Sequence, residues 1–197
     1  MTWLDIRQDS LLKTLHHFIP IMDSMAKEHL EADWYPFGEV KVLPLSMKYT
    51  FALACRLFMS IIDPNHVTRF VDPIALVTNG IMSVPINIPG TAYNRAVKAG
   101  KVIRQELLEV IKQKINELSE NKAGTVAGDL LTNMLLASDE NGRIMNDMAV
   151  VSTFMGLLIG GHHTTSSAIT FVVKYLVEFP YVYTGTDPGI HFRVGTF

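Results

Sequence analysis

Apolar residues recur at intervals of three and four along most of the chain, and this spacing predicts a mainly helical protein with little or no sheet. A first helix is expected around residues 11–25, and Pro44 is expected to open a second helix that runs through Leu57. Asp63 and Pro64 predict the start of a short third helix. The remaining expected helices are a long amphipathic one from Arg95 to about Glu120, a short one at Asp129–Leu136, and a final one that is capped by Asn146 or Asp147 and ends before Pro180.

Irregular segments separate these helices. Residues 39–43 favour a short extended segment, and the glycines and prolines of residues 79–91 break regular structure. A loop is expected at residues 121–128 and a turn at residues 138–142. The last residues, 184–197, lack a helical period, so we expect a poorly ordered tail unrelated to residues 1–183.

The final predicted helix has a polar interruption, Leu157-Leu-Ile-Gly-Gly-His-His-Thr-Thr-Ser-Ser167, inside an otherwise apolar run. Each glycine in a helix interior costs about 1 kcal/mol relative to alanine. Hydroxyl side chains there can bond to carbonyl groups one turn earlier and bend the helix. A purely structural helix avoids such a sequence, which therefore indicates that another group lies against the two glycines.

Composition narrows the class of protein. With 197 residues, 48% of them hydrophobic, the chain can bury a sizeable core as one domain or as part of a larger one. A net charge of −2 favours no general affinity for nucleic acid. The single cysteine, Cys55, excludes a disulfide framework and a cysteine-rich zinc site. The two histidines within each adjacent pair, His16–His17 and His162–His163, point to different faces of a helix, so no metal site is expected. Residues 149–173 carry no charge, but their polar centre favours a buried helix over a transmembrane one.

The glycine-rich helix resembles the oxygen-binding helix of the cytochrome P-450 family, the haem-thiolate monooxygenases. That helix carries a small residue, Gly, any residue, an acid, Thr and then often Thr or Ser, which corresponds to residues 160–165 here. Three other segments, residues 53–66, 86–95 and 171–176, resemble a plant branch that includes triterpene oxidases and taxoid hydroxylases. The resemblance runs from about Leu11 to Tyr183, and it implies a partial cytochrome P-450 fold, from the middle helices through the oxygen-binding helix.

The resemblance also implies a chemistry. The family binds haem, takes electrons from NADPH-cytochrome reductase and works at the cytosolic face of the endoplasmic reticulum membrane; Met1–Ser10 has no signal-peptide shape, so no N-terminal anchor is expected in this chain. Haem would lie beside Gly160, Gly161 and Thr165, and a hydrophobic terpenoid-like substrate would contact Ile81, Met82 and Ile159. Thr164 and His163 would be the catalytic residues, with the Thr164 hydroxyl acting as donor and relay beside the oxygen.

The chain departs from the family pattern at two points. His163 stands where the family has the acid that feeds protons from solvent, which predicts impaired proton delivery. The family's haem-ligand cysteine and its Glu-x-x-Arg motif lie downstream of the glycine-rich helix, whereas Cys55 lies in an apolar helical run and Glu140-Asn-Gly-Arg143 precedes that helix. We therefore expect an inactive fragment of a terpenoid or sterol hydroxylase. The alternative is a non-enzymatic helical remnant that binds a hydrophobic ligand or a partner protein.

Overall fold

The computed structural model describes residues 3–120, 129–136 and 146–179, and the side chains of residues 3–15 and 17 are outside the description. Within those ranges the regular elements are all helices, which confirms the predicted fold class. The expected loop at 121–128, the turn at 138–142, Pro180 and the tail at 184–197 lie outside the described residues. The six helices are α1 (Trp3–Asp33), α2 (Val42–Met59), α3 (Pro64–Ile81), α4 (Ala92–Glu120), α5 (Leu130–Leu136) and α6 (Asp147–Glu178).

Two expectations about helix bounds were wrong. The third helix is not short, because α3 runs for 18 residues and continues through Pro73 to Ile81. Its buried face, formed by Phe70, Ile74 and Val77, keeps the helical spacing across the proline, so packing outweighs the hydrogen bond that Pro73 cannot donate. The expected extended segment at residues 39–43 is helical from Val42. Pro44 therefore lies in the first turn of α2, where no intrahelical N–H is needed.

The helix caps at two other places agree with the sequence. The Asp63 carboxylate accepts from the backbone N–H of Asn65 at 3.0 Å at the start of α3. The Asn146 side chain accepts from the backbone N–H of Met148 at 3.0 Å, so Asn146 rather than Asp147 caps α6. Both caps use a short polar side chain to satisfy backbone donors that the first helical turn leaves without a partner.

The chain divides into two compact units, one formed by Met1–Leu53 with Thr165–Phe197 and the other by Ala54–Thr164. In the second unit, α3 and α4 make the most extensive contact between helices that the structure describes. Arg69 of α3 lies 3.7 Å from Glu106 of α4. Further along α3, Gly80 lies against Ala96, which comes earlier in α4 than Glu106. The two helices therefore run antiparallel around the connection at residues 82–91.

Asp129 joins three elements of the second unit. It precedes α5, and its carboxylate accepts from the backbone N–H of Thr132 at 2.6 Å. The same carboxylate accepts from the Ser60 hydroxyl at 2.6 Å and lies 2.8 Å from the Lys114 ammonium of α4. Burial alone would raise the pKa of Asp129, but the hydrogen bonds from Lys114, Ser60 and Thr132 outweigh burial, and the pKa lies below its usual value.

Ser60 has a backbone conformation that few residues other than glycine adopt. Its φ is 57°, and its own N–H donates to the Arg56 carbonyl at 3.0 Å, as in an αL C-cap of α2. Glycine is the usual residue at such a position because a Cβ there costs about 1 kcal/mol or more. The hydrogen bond to Asp129 gives serine a role that glycine cannot fill.

In the first unit, polar contacts join α1 and α2. The Lys48 ammonium of α2 lies 2.7 Å from the Asp33 carboxylate at the end of α1. The Tyr49 hydroxyl donates to the Met22 carbonyl at 3.2 Å. The buried apolar residues Trp34, Val42 and Phe51 belong to the same unit.

One helix in the described part of the chain, α2, is long and apolar enough to cross a membrane by length and composition alone. Of that 18-residue window, 44% is buried inside the protein, and core helices of soluble proteins meet the same test, so the finding carries little weight. The uncharged segment 149–173, expected to be a buried helix, is buried on one face only, and its other face is exposed.

Candidate functional site

The glycine-rich stretch lies near the middle of α6 and is oriented by a buried stripe on the opposite face. Val150, Phe154, Leu158 and His162 follow one another at intervals of four residues, and all are buried. This stripe fixes the rotation of α6 about its axis, since the apolar positions must face the core. Gly156, Gly160 and Thr164, also four residues apart, are therefore presented on the exposed side.

The two adjacent glycines leave an open surface. Apart from the adjoining backbone of its own helix, a Cβ atom built on Gly160 or Gly161 would meet no atom within 4 Å, and both residues are exposed. Neither glycine is thus explained by close packing against a neighbouring element of the described chain. A flat group could approach the helix backbone here, which is the fit that a haem face requires.

Thr164 lies one turn beyond Gly160 on the same exposed side. Its hydroxyl donates to the Gly160 carbonyl at 2.9 Å, which is the back-bonding expected of a threonine in a helix. The hydroxyl oxygen keeps lone pairs for accepting a further hydrogen bond. Rotation about χ1 would redirect the proton away from the helix, so this hydroxyl can act as a donor toward a group above the glycines.

The rings of His162 and His163 lie against each other beside Thr164. Their ring centroids are 4.1 Å apart and the rings are tilted by 35°. His162 is buried, whereas His163 is partly exposed. Burial, together with the neighbouring His163, lowers the pKa of His162 to about 4, so His162 is neutral near pH 7. The resemblance singles out His163 alone, and the burial of His162 is a feature that only the structure shows.

The free energy of unfolding should decrease as the pH is lowered, because His162 is buried in its neutral form. The unfolded chain binds a proton there near pH 6.5, and the folded chain does so only near pH 4, so the free energy of unfolding should decrease as pH falls through that interval. We expect a loss on the order of 2 kcal/mol. Urea unfolding at several pH values would measure it. His162→Phe, which keeps a buried ring but does not titrate, should flatten this part of the curve, and an unchanged slope in that variant would contradict the assignment.

The other residues expected at the site occupy separate places. Ile159 is partly exposed next to the glycines, and Thr165 is exposed one residue after Thr164. Ile81 ends α3 and Met82 follows it, with exposed fractions of 60% and 90%. The prediction that Ile81 and Met82 contact substrate rests on the family resemblance, and their exposure leaves both side chains accessible. They begin a connection with further exposed apolar side chains, Val84, Ile86 and Ile88.

Thr91 orders the end of that apolar connection. Its hydroxyl accepts from the backbone N–H of Asn94 at 3.1 Å and so caps α4. The same hydroxyl lies 2.7 Å from the Ile86 carbonyl and 2.8 Å from the Ile88 carbonyl. The exposed isoleucines thus stand on a hydrogen-bonded segment.

Cys55 is unsuited to hold a haem iron. Its side chain is buried within α2, with no exposed fraction, and burial raises the pKa of its thiol to about 12. A metal-binding thiolate needs a lowered pKa and access to the metal. Across residues 3–120, 129–136 and 146–179, no group of three or more His, Cys, Asp or Glu side chains could hold a metal ion.

The described chain is thus an all-helical protein whose longest helix presents two open glycines, a threonine hydroxyl and the partly exposed His163, while His162 is buried on the opposite face. Comparison with known proteins gives the family. The profile of cytochrome P450 matches residues 10–184, and the chain belongs to this family, whose cofactor is haem.

Its relatives include plant enzymes of triterpene oxidation. It is 50% identical over 173 residues to a beta-amyrin 28-monooxygenase of Saponaria officinalis, covering 88% of this chain and 36% of that one. It is 51% identical over 172 residues to a beta-amyrin 6-beta-monooxygenase of Solanum lycopersicum, covering 87% and 35%. The chain thus spans about a third of the length of these relatives.

Solved structures agree on the fold. The retinoic acid-bound cyanobacterial CYP120A1 superposes with a TM-score of 0.75 at 26% identity, over 89% of this chain and 38% of that one. The partial cytochrome P450 fold expected from the sequence is thereby confirmed.

Proposed function

We propose that this chain forms the oxygen-facing side of a haem monooxygenase that hydroxylates a terpenoid or sterol-like substrate, using O2 and electrons from NADPH-cytochrome reductase. The observation that carries the proposal is the exposed face of α6, where Gly160 and Gly161 leave the backbone open beside the Thr164 hydroxyl. In the full-length protein this work would take place at the endoplasmic reticulum membrane.

The names of the relatives support a substrate class. Two of them, each about half identical to this chain, are named for oxidation of beta-amyrin, yet at different positions, 28 and 6-beta. Similarity at this level therefore favours a beta-amyrin-like triterpene and does not favour one carbon over another. The exposed apolar residues Ile81 and Met82, with Ile159, offer contacts of the kind such a hydrocarbon skeleton requires.

The residues of α6 have distinct roles in this proposal. Haem, when bound, supplies the activation of oxygen. Gly160 and Gly161 admit it close to the helix backbone, with Thr165 beside it. Thr164 holds a proton at its Oγ1 and can turn from the Gly160 carbonyl toward the bound face. His163, partly exposed, receives protons from solvent at its imidazole and passes them to Thr164, in place of the family's carboxylate.

A segment exchange would test the proposal, because Cys55 cannot provide the thiolate ligand and a relative can. Residues 10–183 of this chain would replace the matched segment of the Saponaria officinalis relative. With haem, reductant and CO, we expect the exchanged protein to give a thiolate-type spectrum and the chain alone to give none. With NADPH, reductase and beta-amyrin, we expect a hydroxylated product. A thiolate-type spectrum without any terpenoid oxidation or binding would reject the proposal and favour a non-enzymatic remnant.

The exchanged protein also tests the proposed transfer of protons from His163 to Thr164. His163→Asp restores the family acid and should raise the product formed per NADPH consumed, because a carboxylate relays protons and adds the negative charge that the imidazole lacks. Thr164→Ala should lower that ratio while leaving the CO spectrum unchanged. Coupling that stays the same in both variants would remove His163 and Thr164 from the path.

A further inference from the structure

A chain of polar contacts crosses the first unit at the end of α1. The Trp34 indole donates its Nε1–H to His29 Nε2 at 3.1 Å. His29 Nδ1 lies 2.8 Å from the Asp33 carboxylate, which in turn lies 2.7 Å from the Lys48 ammonium. Trp34 is buried, and the His29 ring stacks on Tyr49 with centroids 5.5 Å apart. The four side chains form a line from an exposed ammonium to a buried indole.

These contacts fix the protonation of His29. An indole nitrogen can only donate, so His29 Nε2 must accept and carries no proton. The proton of the neutral ring then sits on Nδ1, where Asp33 accepts it. The hydrogen bond from Lys48 holds the pKa of Asp33 below its usual value, although burial opposes it, so the carboxylate remains charged. The structure is therefore that of a neutral His29 in one tautomer.

We propose that His29 is a pH-sensitive latch for Trp34. A second proton on the ring would sit on Nε2 and set two donors, Nε2–H and the indole Nε1–H, against each other at 3.1 Å, so their hydrogen bond must break. The ionised Asp33 opposite Nδ1 stabilises the charged ring, which favours the broken state once the second proton arrives.

The surroundings of His29 leave room for the indole to move. Trp34 and His29 line an apolar pocket of about 190 Å³, together with Leu30, Tyr49, Ile169 and Val173. Asp33 on the same helix contacts His29 directly, and Lys48 on α2 contacts Asp33. Tyr49 of α2 is neutral, since burial raises the pKa of its phenol, and the two pocket residues from α6 are apolar. An indole released by His29 can repack into this space without meeting another charge.

The latch can be followed through the emission of Trp34 in the 197-residue chain carrying Trp3→Phe, which leaves one tryptophan. Between about pH 8 and pH 5 we expect a reversible shift of Trp34 emission and loss of hydrogen-exchange protection at its Nε1–H. The far-UV circular dichroism should stay constant, because only a side-chain contact is lost.

His29→Gln is the matched control. Its amide oxygen can accept from Trp34 and its amide N–H can donate to Asp33, yet it does not titrate. We expect its Trp34 emission to match that of the parent at pH 8 and to stay there at pH 5. His162 remains in both proteins, so its effect on stability cancels in the comparison. Equal pH curves in parent and variant, no shift in either, or a parallel loss of helical signal would overturn the proposal.

Discussion

Asp129→Asn is expected to lower the free energy of unfolding by about 3–5 kcal/mol, the cost of leaving one member of a buried ion pair without its counter-charge. The Asp129 side chain is 3% exposed and the Lys114 side chain 13% exposed, so water cannot replace either partner. The variant keeps an acceptor for the Thr132 N–H but loses the negative charge that the Lys114 ammonium and the Ser60 hydroxyl now share. Urea denaturation of the 197-residue chain at pH 7 would measure the difference.

A second Asp–Lys pair with the same distance between its charged groups, but exposed to solvent, serves as a control. Asp23 and Lys27 are also 2.8 Å apart, one turn apart on α1, but both are exposed. Asp23→Asn should leave stability unchanged within error, since exposed pairs are screened by water and salt. If both aspartate variants lose the same amount, burial is not the cause. A double-mutant cycle with Lys114→Met should then show that the pair's two single losses do not add.

The pH dependence of the difference has a definite sign. Asp129 has a lowered pKa in the folded protein, so its contribution is present above the ordinary aspartate pKa and is lost as pH falls through the folded value. The gap between parent and Asp129→Asn should therefore narrow in acid. This separates the ion pair from a simple packing defect, which would persist at every pH.

Much of the fold could be predicted from the sequence because the dominant signals are local. Helical spacing, Pro64 in the first turn of α3 and the Asn146 cap of α6 each depend on a few neighbouring residues. The glycine-rich stretch was also visible, since paired glycines in an apolar helix contradict helix propensity. The structure adds that these glycines face open space, which the sequence could not distinguish from glycines in a tight helix contact.

The interactions between distant segments could not be predicted. Ser60 and Asp129 are 69 residues apart, and nothing near either residue in the sequence indicates the other. A lysine on an amphipathic helix is typical of a solvated face, whereas the Lys114 side chain is only 13% exposed and its ammonium is held by Asp129. One local signal was present: an aspartate directly before the apolar run of α5 is a typical N-cap. Burial of that cap depends on where α2 and α4 lie.

The break expected at residues 79–91 shows how a glycine can mislead. Gly80 is a helix breaker by propensity, and it was assigned to the irregular segment. In the structure it is buried in the last turn of α3, where Ala96 of α4 lies against it. A glycine is needed at this position because the backbones of α3 and α4 approach each other closely. This contact between distant segments cannot be recognised from the neighbouring sequence.

Gly80→Ala is accordingly expected to destabilise the protein. The added Cβ would overlap the Ala96 Cβ and lie 3.5 Å from both the Ala96 Cα and the Ala92 carbonyl oxygen. Alanine normally stabilises a helix by about 1 kcal/mol relative to glycine, but here α3 and α4 must separate. Overpacking of this kind costs about 1–3 kcal/mol and occasionally more, and the clash with a rigid Cβ places this case near the upper end. Urea unfolding would measure the loss.

Gly100→Ala is the matched control, because Gly100 is also buried and also lies where α4 meets α3. Its added Cβ would find Met155 Cε at 3.5 Å and Val77 Cγ2 at 3.9 Å, which is ordinary van der Waals contact. We expect this variant to gain up to about 1 kcal/mol from helix propensity. Opposite signs for the two substitutions would establish that close approach at Gly80, and not burial of a glycine as such, fixes the antiparallel pair that presents Ile81 and Met82. If both variants gain stability, the helices are not in close contact at Gly80.

The double variant Gly80→Ala with Ala96→Gly, which moves the methyl group from one helix to the other, should recover most of the loss.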